Sequence, residues 1–306
     1  MLSVIIRRFF ELIVVLWGIS SLVFFLQRII PGSPADALLG PDAPESEKLA
    51  WLSRYGLDQP IGEQYLDFLL NLLKGDLGKT FSNYANVLDI ILPRLQQTVL
   101  LATSAFVFSL IVAFIFGTIS AAYNGKYIDK TIAIFSLLAI SAPSFIIGPI
   151  LMWIFSVKFD LLPLMGNEGI TSFILPSVTL GASLAAFSSR MIRSGIVEVL
   201  NEDYIRTAKS KGLHPVTILL KHALRNAFLP TLTILGMQLG FLLSGTIITE
   251  QIFNWPGLGS LIVEGVQSRE YNIVSGCVIV IACVYVFCNL CVDLLYQVLD
   301  PRVRSS

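Results

Sequence analysis

An all-α integral membrane protein is the fold class this sequence predicts, and three observations carry the prediction. The chain of 306 residues is 55% hydrophobic and 14% charged, where soluble domains carry about 25% charged residues. Its mean hydropathy is +0.75. Apolar runs of about 20 residues, the length that crosses a bilayer, recur along it, and the basic residues of the short connections fall on alternate ones. The formal net charge is zero, so the placement of charges is informative and their balance is not. Six transmembrane helices with a small helical extramembrane insert between the first two is the expected architecture.

Arg7-Arg8 precede the first apolar run, Phe9 to Ile30. A secretory signal is the first alternative, and Ala35-Asp36-Ala37 offers a small-x-small pattern. A signal core spans about 7–15 residues, however, and this run is about 22, the length of a full span. A retained first helix, residues 1–30, is expected. Residues 31–97 are mostly polar, with Pro31-Gly32-Ser33-Pro34 and Gly40-Pro41 as breaks and amphipathic pieces at Glu45 to Tyr55 and Gln64 to Leu73. The membrane core, residues 98–296, then holds five spans. The second runs from Thr98 to Tyr123, closed by the turn Asn124-Gly125-Lys126. The third, Thr131 to Val157, contains Pro143 and Pro149, which remove backbone donors and kink a helix. In lipid this is tolerated where neighbours or a water-lined cavity satisfy the freed groups. Pro176 begins a short fourth span that reaches Ser189 and continues past Arg190 and Arg193 as an amphipathic helix. The fifth runs from Phe228 to Ile248 around Gln238, and the sixth from Ile273 to Leu295, before a polar tail at 297–306.

Orientation follows from the bias of basic residues towards the cytoplasm. With the N-terminus inside, that side holds Arg7, Arg8, Lys126, Lys130, Arg190, Arg193, Arg206, Lys209, Lys211, Lys221, Arg225, Arg302 and Arg304. The opposite short loops hold Lys158 and Arg269, with Arg28 at a helix end. Both termini are therefore expected in the cytoplasm, along with the polar connection at 190–227.

Several motifs point to chemistry and fail. Gly75-Asp76-Leu77-Gly78-Lys79-Thr80 suggests a phosphate loop, but that loop needs a glycine where this chain has Leu73. His214 and His222 have no converging partners and are read as surface or packing residues. Cys277, Cys283, Cys288 and Cys291 share one apolar segment, where they serve as small packing residues. No paired intramembrane carboxylates appear; Glu11 and Asp293 lie near helix ends, as anchors or partner contacts. No catalytic constellation, metal site or nucleic-acid partner is expected. Ser141, Ser144, Thr179, Ser183, Gln238 and Ser244 lie near mid-membrane. Interhelical hydrogen bonds would explain each, with lining of a passage as the alternative. Gln238 is the strongest passage candidate, because an amide buried in lipid must find a partner.

The polar connection is different in kind. Glu202-Asp203 precede a helical run from Tyr204 to Lys211, where acids favour a helix start. Gly212 can supply the left-handed turn that ends it, and a second helix is expected from Val216 to Ala227. Two short helices with a glycine corner make a docking knob; a basic loop resting on lipid headgroups is the competing reading.

TAKSKG at Thr207–Gly212 and LLKHALRNAFLP at Leu219–Pro230 resemble the "EAA" loop of ATP-binding-cassette importer permeases, of the type I kind. PGSPADALLG at Pro31–Gly40, GLDQP at Gly56–Pro60, KGDLGKTF at Lys74–Phe81, TEQIFNWPGLGSLIVEGV at Thr249–Val266 and VDLLYQVLDPRVR at Val292–Arg304 narrow the resemblance to the dipeptide/oligopeptide/nickel branch. The resemblance implies a coupling helix seated in a groove of a cytoplasmic ATPase subunit. Its residues here would be Asp203, Tyr204, Arg206, Thr207, Ala208, Lys209, Lys211, Gly212 and Leu213. Gly212 matches the loop glycine and Ala208 the second alanine. Arg206 stands at the glutamate position, Thr207 at the first alanine and Arg225 at the later proline, a departure usual in that branch. The resemblance implies a bacterial or archaeal plasma membrane. The resemblance also implies a second homologous permease chain, two ATPase subunits and an extracytoplasmic solute-binding protein received by the insert. ATP and Mg would be held by the partner subunits, with no cofactor in this chain. The cargo expected is a di- or oligopeptide, with glutathione, nickel chelates or metallophores as alternatives. A passive channel or secondary carrier is the reading from a different class; it predicts transport without ATP.

Overall fold

The computed structural model describes residues 2–29, 32–40, 42–224, 226–227, 238, 242 and 246–299, with side chains described within 11–292. The chain divides into two compact units, Met1–Thr98 with Pro256–Val286, and Val99–Trp255 with Phe287–Ser306. Helix is the dominant element throughout; among the described residues the only bridge is Lys79 with Asn86.

The first unit begins with α1, Leu2–Ile29, whose stretch Glu11–Ile29 is long and apolar enough to cross a membrane. Three short helices follow: α2 (Pro34–Leu39), α3 (Glu45–Arg54) and α4 (Ile61–Leu73). Their starts are written locally. Ser33 accepts the Ala35 N–H ahead of Pro34 at the first turn of α2, and Pro44 and Pro60 directly precede α3 and α4, where a missing donor is harmless. The unit closes with the start of α5 (Val87–Ala122), with Leu258–Gln267 and with the start of Tyr271–Leu299. Val87, Ile91, Leu258, Leu261, Ile273 and Cys277 form its core. The buried Cys277 packs there as a small apolar group. Gly276 brings its helix against α5, since a Cβ there would lie 2.8 Å from Ile91 Cδ1 and 2.9 Å from Val87 Cγ1.

The rejected phosphate loop has a structural task. Gly78 donates its N–H to Asp76 at 2.8 Å, and Asn272 donates to the Lys79 carbonyl at 2.8 Å. Glu270, 3% exposed, accepts the backbone N–H groups of Phe81 and Ser82 at 2.7 and 2.8 Å. A buried carboxylate that gathers two amides is satisfied, and it fastens this loop to the start of the last helix.

In the second unit α5 continues to Ala122, followed by α6 (Tyr127–Ser141), α7 (Ser144–Met152) with a π-helical extension Trp153–Lys158, and α8 (Ile174–Val199). Several helical boundaries differ from expectation, among them the following. Helix α5 begins at Val87 and not Thr98, because Asn86 caps the Leu88 N–H at 3.0 Å and backbone bonding, unlike hydropathy, tolerates Asp89 and Arg94. The third span is not one kinked helix: α6 and Ser144–Lys158 meet at 107°. Pro143 has no N–H to give and disfavours helical geometry at the residue before it; Ala142 is accordingly extended, with φ −85° and ψ 120°. Helix α8 starts at Ile174, ahead of Pro176, and runs unbroken to Val199. The helix expected from Val216 starts at Pro215, as described below. The fifth predicted span, Phe228–Ile248, lies outside the described residues except at 238, 242 and 246–248, as does Ser244, and the Asp293 side chain is likewise outside them. Among the described residues four helices can cross a membrane, and the bent pair makes up to five.

Helices α5 and α8 touch through glycine, as membrane helices do where backbones must approach. A Cβ on Gly181 would sit 2.7 Å from the Ala105 carbonyl oxygen, and one on Gly117 would sit 2.8 Å from that of Ser189. Backbone cannot yield as a side chain can. Gly181→Val is therefore expected to cost about 3 kcal/mol, the upper end of overpacking, read as a lowered thermal unfolding midpoint in detergent. Gly62→Ala, where nothing lies within 4 Å, serves as the control.

Candidate functional site

The polar connection after α8 folds as two short helical pieces. The first, α9, is Asp203–Ser210. Glu202 precedes it in extended geometry, and Asp203 stands in its first turn with Lys209 in its last, signs that suit the helix dipole. Gly212 ends it with φ +74°, and the Leu213 N–H returns to the Ala208 carbonyl at 3.3 Å. The expected left-handed glycine turn is present. The second piece, α10, is Pro215–Thr217, continued by a π turn at Ile218–Ala223. It starts one residue earlier than Val216 because His214 caps it: the Val216 N–H donates to His214 Nδ1 at 3.3 Å, and Pro215 suits the first turn. His214 thus has a local structural role.

Only one stripe of α9 is buried. Ile205 is fully buried and Ala208 nearly so, both against Ile218, with Val199 and Leu200 packed beside them. Positions 205 and 208 share a helix face. The remaining positions, Asp203, Tyr204, Arg206, Thr207 and Lys209, together with Lys211, Gly212 and Leu213, are exposed. Of the nine predicted docking residues, Ala208 alone faces inward. The Arg206–Asp203 pair, 3.6 Å apart and exposed, contributes little. The outward face is basic, with Arg206, Lys209 and Lys211 against Asp203.

The knob is anchored to the long helices. Asn226 donates to the Tyr204 hydroxyl at 2.7 Å, tying the start of α9 to the chain beyond α10. Ala223 and Ala227 pack with Ala113 and Ala121 of α5 and Ile192 and Ile196 of α8. Gly195 gives Ala227 room, since a Cβ there would lie 3.2 Å from Ala227 Cβ. Packing therefore runs unbroken from α9 through Ile205 and Ile218 to the π turn after α10, and through Ala223 to the ends of α5 and α8. Ile205→Ala is expected to cost about 3 kcal/mol of local stability, as a buried large-to-small change does. Faster amide hydrogen exchange confined to 203–213 would report it.

Beside this contact α5, α6 and α8 are clamped by a buried carboxylate. Asp129, 4% exposed, accepts from Arg193 Nε at 2.6 Å and Nη2 at 2.7 Å, from the Ser120 hydroxyl at 2.6 Å and from the Gly125 N–H at 2.8 Å. Arg193 Nη2 also reaches Asn124 Oδ1 at 2.9 Å. The pair lies 64 positions apart in the chain, and nothing in local sequence joins the two residues. Arg193 reads from sequence as one more inside charge, and Asp129 has no reading at all. Ile205 and Ile218 were legible only as apolar residues.

The three candidate passage residues lie on two segments, Ser141 and Ser144 beside the α6–α7 break and Gln238 in the fifth predicted span. Ser141 is exposed and Ser144 half-buried, at the two sides of the α6–α7 break. Gln238 is half-buried, and its Oε1 is buried without a hydrogen-bond partner among the described residues. Thr179 hydrogen-bonds its own helix at Leu175 (2.8 Å), and Ser183 is exposed.

Residues 113–305 match the family described as "binding-protein-dependent transport system inner membrane component", and residues 1–102 match its N-terminal counterpart. The glutathione transport system permease protein GsiC of Escherichia coli O6:H1 (strain CFT073) is 38% identical over 304 residues, covering 99% of each chain. GsiC of E. coli K12 is 37% identical over the same length and coverage. Among solved structures, an inward-facing MetNI methionine ABC transporter matches 70% of this chain and 97% of its own, with TM-score 0.58 and 15% identity. An amino acid ABC transporter with histidines matches 70% and 94%, with TM-score 0.53 and 17% identity. Those two likenesses establish the fold.

Proposed function

Since this chain belongs to the binding-protein-dependent transport family of inner-membrane components, as a permease subunit of an ATP-driven importer and not an enzyme, we propose that residues 203–213 are the handle by which ATPase subunits move it. The observation that carries the proposal is the exposed basic face of α9, held on Ile205 and Ala208 and linked through Ile218 and Ala223 to α5 and α8. ATP binding closes the two ATPases and draws the handle with them. The long helices rock, and the passage opens alternately to each side. A bound partner shifts such an equilibrium only by binding one state better than the other, so the ATPases must grip one docked geometry more tightly.

The same reading places both termini and the α9 knob in the cytoplasm and gives the complex a second permease chain, two ATPase subunits and an extracytoplasmic solute-binding protein. ATP and Mg belong to the ATPases. The Gln238 side-chain oxygen, buried without a hydrogen-bond partner among the described residues, supports its place on the passage, with Ser141 and Ser144 at the break. The cargo is peptide-class. The names of the GsiC relatives favour a second, narrower reading, glutathione itself.

Lys209→Cys, introduced into the co-expressed complex, tests the handle. Oxidative cross-linking to a cysteine in the ATPase groove, changing with ATP, is the expected result. A mild-detergent complex without any ATPase, or labelling of Lys209→Cys from outside the cell, would refute it. Mass spectrometry of the ligand retained by the partner binding protein reads the cargo directly.

A further inference from the structure

Two cavities of opposite character meet on the surface of the second unit. One, of about 640 Å³, is lined by Lys130, Arg190 and Arg193 together with Ser120 and Ser194. The other, of about 470 Å³, is walled by Phe108, Val112, Phe116, Phe135, Ala182 and Ala185. They share Ile132, Ser136 and Ser189, so the apolar groove and the basic pocket adjoin. The charges in the pocket are not equivalent. The guanidinium of Arg193 is already committed to Asp129, so its charge is neutralised. Lys130 and Arg190 are exposed and have no carboxylate partner among the described residues. Phe135 and Phe116 stand 66% and 45% exposed in the groove. A site with two uncompensated cations at one end and an apolar trough at the other matches an amphiphile with an anionic head.

We propose that this composite groove between α5, α6 and α8 holds an anionic glycerophospholipid of the cytoplasmic leaflet, its phosphate at Lys130 and Arg190 and an acyl chain along Phe116, Phe135 and Ala182. The leaflet assignment rests on the inward placement of the basic helix ends proposed above. Cations at the inner face attract anionic lipid, and a basic pocket joined to an apolar channel fixes one molecule where an open surface would only enrich many. The position is informative. The pocket touches Asp129 and Arg193, the clamp beside the coupling handle, so an occupied groove would brace the same helix ends that the handle moves. A helix of the second permease chain is the competing occupant, but it leaves the two cations unanswered.

The test uses the purified complex reconstituted into phosphatidylcholine vesicles carrying a trace of photoactivatable phosphatidylglycerol or, in parallel, photoactivatable phosphatidylcholine. The expected result is adducts on α6 and α8 peptides from phosphatidylglycerol well above those from phosphatidylcholine. Lys130→Ala and Arg190→Ala should each reduce the anionic adduct about fivefold. Ala182→Trp, which fills the trough, should abolish it with both cations intact. Equal labelling by the two lipids, undiminished labelling in the Lys130→Ala/Arg190→Ala variant, or cross-linking of a photoreactive residue at 182 to a second protein chain would each overturn the proposal. Labelling of Lys130→Cys by an impermeant reagent from outside intact cells would overturn the orientation instead. Protection of that cysteine with no lipid selectivity would sink the lipid site alone.

Discussion

Transport falls below detection in Gly212→Trp while the protein reaches the membrane in normal amount; that is the expected result, and its logic is separable into two parts. Gly212 sits at φ +74°, where an L-residue costs about 1–2 kcal/mol. Nothing among the described residues lies within 4 Å of a Cβ placed there. Alanine at this position therefore pays the backbone penalty with no steric clash of its own. Gly212→Ala should retain measurable uptake, because only the turn is strained. The further loss in Gly212→Trp is expected from the large side chain meeting the ATPase groove proposed to hold this turn. Uptake by Gly212→Trp equal to Gly212→Ala, at equal expression, would remove the handle from the mechanism.

Arg193→Ala should be the most damaging single change at the helix ends, with a loss of about 3 kcal/mol or more, and Asp129→Asn should cost markedly less. The asymmetry follows from burial. The Asp129 side chain is 6% exposed and that of Arg193 33%. Removing the arginine strands a carboxylate inside the protein with only Ser120 and Gly125 as donors. Removing the carboxylate charge leaves a guanidinium that can turn to water and to Asn124, so the cost is nearer that of lost hydrogen bonds, about 1–2 kcal/mol. Thermal unfolding midpoints of the two variants in the same detergent check the order. Equal midpoints would mean that the pair is held by packing and not by charge.

Much of this protein is readable one residue after another. Apolar runs mark spans, Asp203 and Gly212 bracket α9, and Pro143 marks a break. Each signal acts within a few residues of itself: a glycine supplies its own positive φ, and a proline removes its own donor. Where the reading slipped, the cause was equally local. The α5 boundary was placed where hydropathy rises, at Thr98, although Asn86 caps the backbone twelve positions earlier. The angle at Pro143 was read as a kink, because sequence reports a missing hydrogen bond and not what the two freed helix ends pack against.

Fold class and the helix-and-glycine-turn geometry of 203–213 are thus legible in the chain as written, since hydropathy, capping and turn chemistry are short-range and need no partner; the family is legible through the resemblance of its motifs. The choice of Ile205 and Ala208 as the buried stripe, the clamp of Asp129 on Arg193, the seat of Glu270 beneath Phe81 and the joining of a basic pocket to an apolar trough belong to the tertiary structure. Each pairs groups from different helices. Contacts of that kind depend on how side chains from distant segments exclude water together, which no window of neighbouring residues encodes.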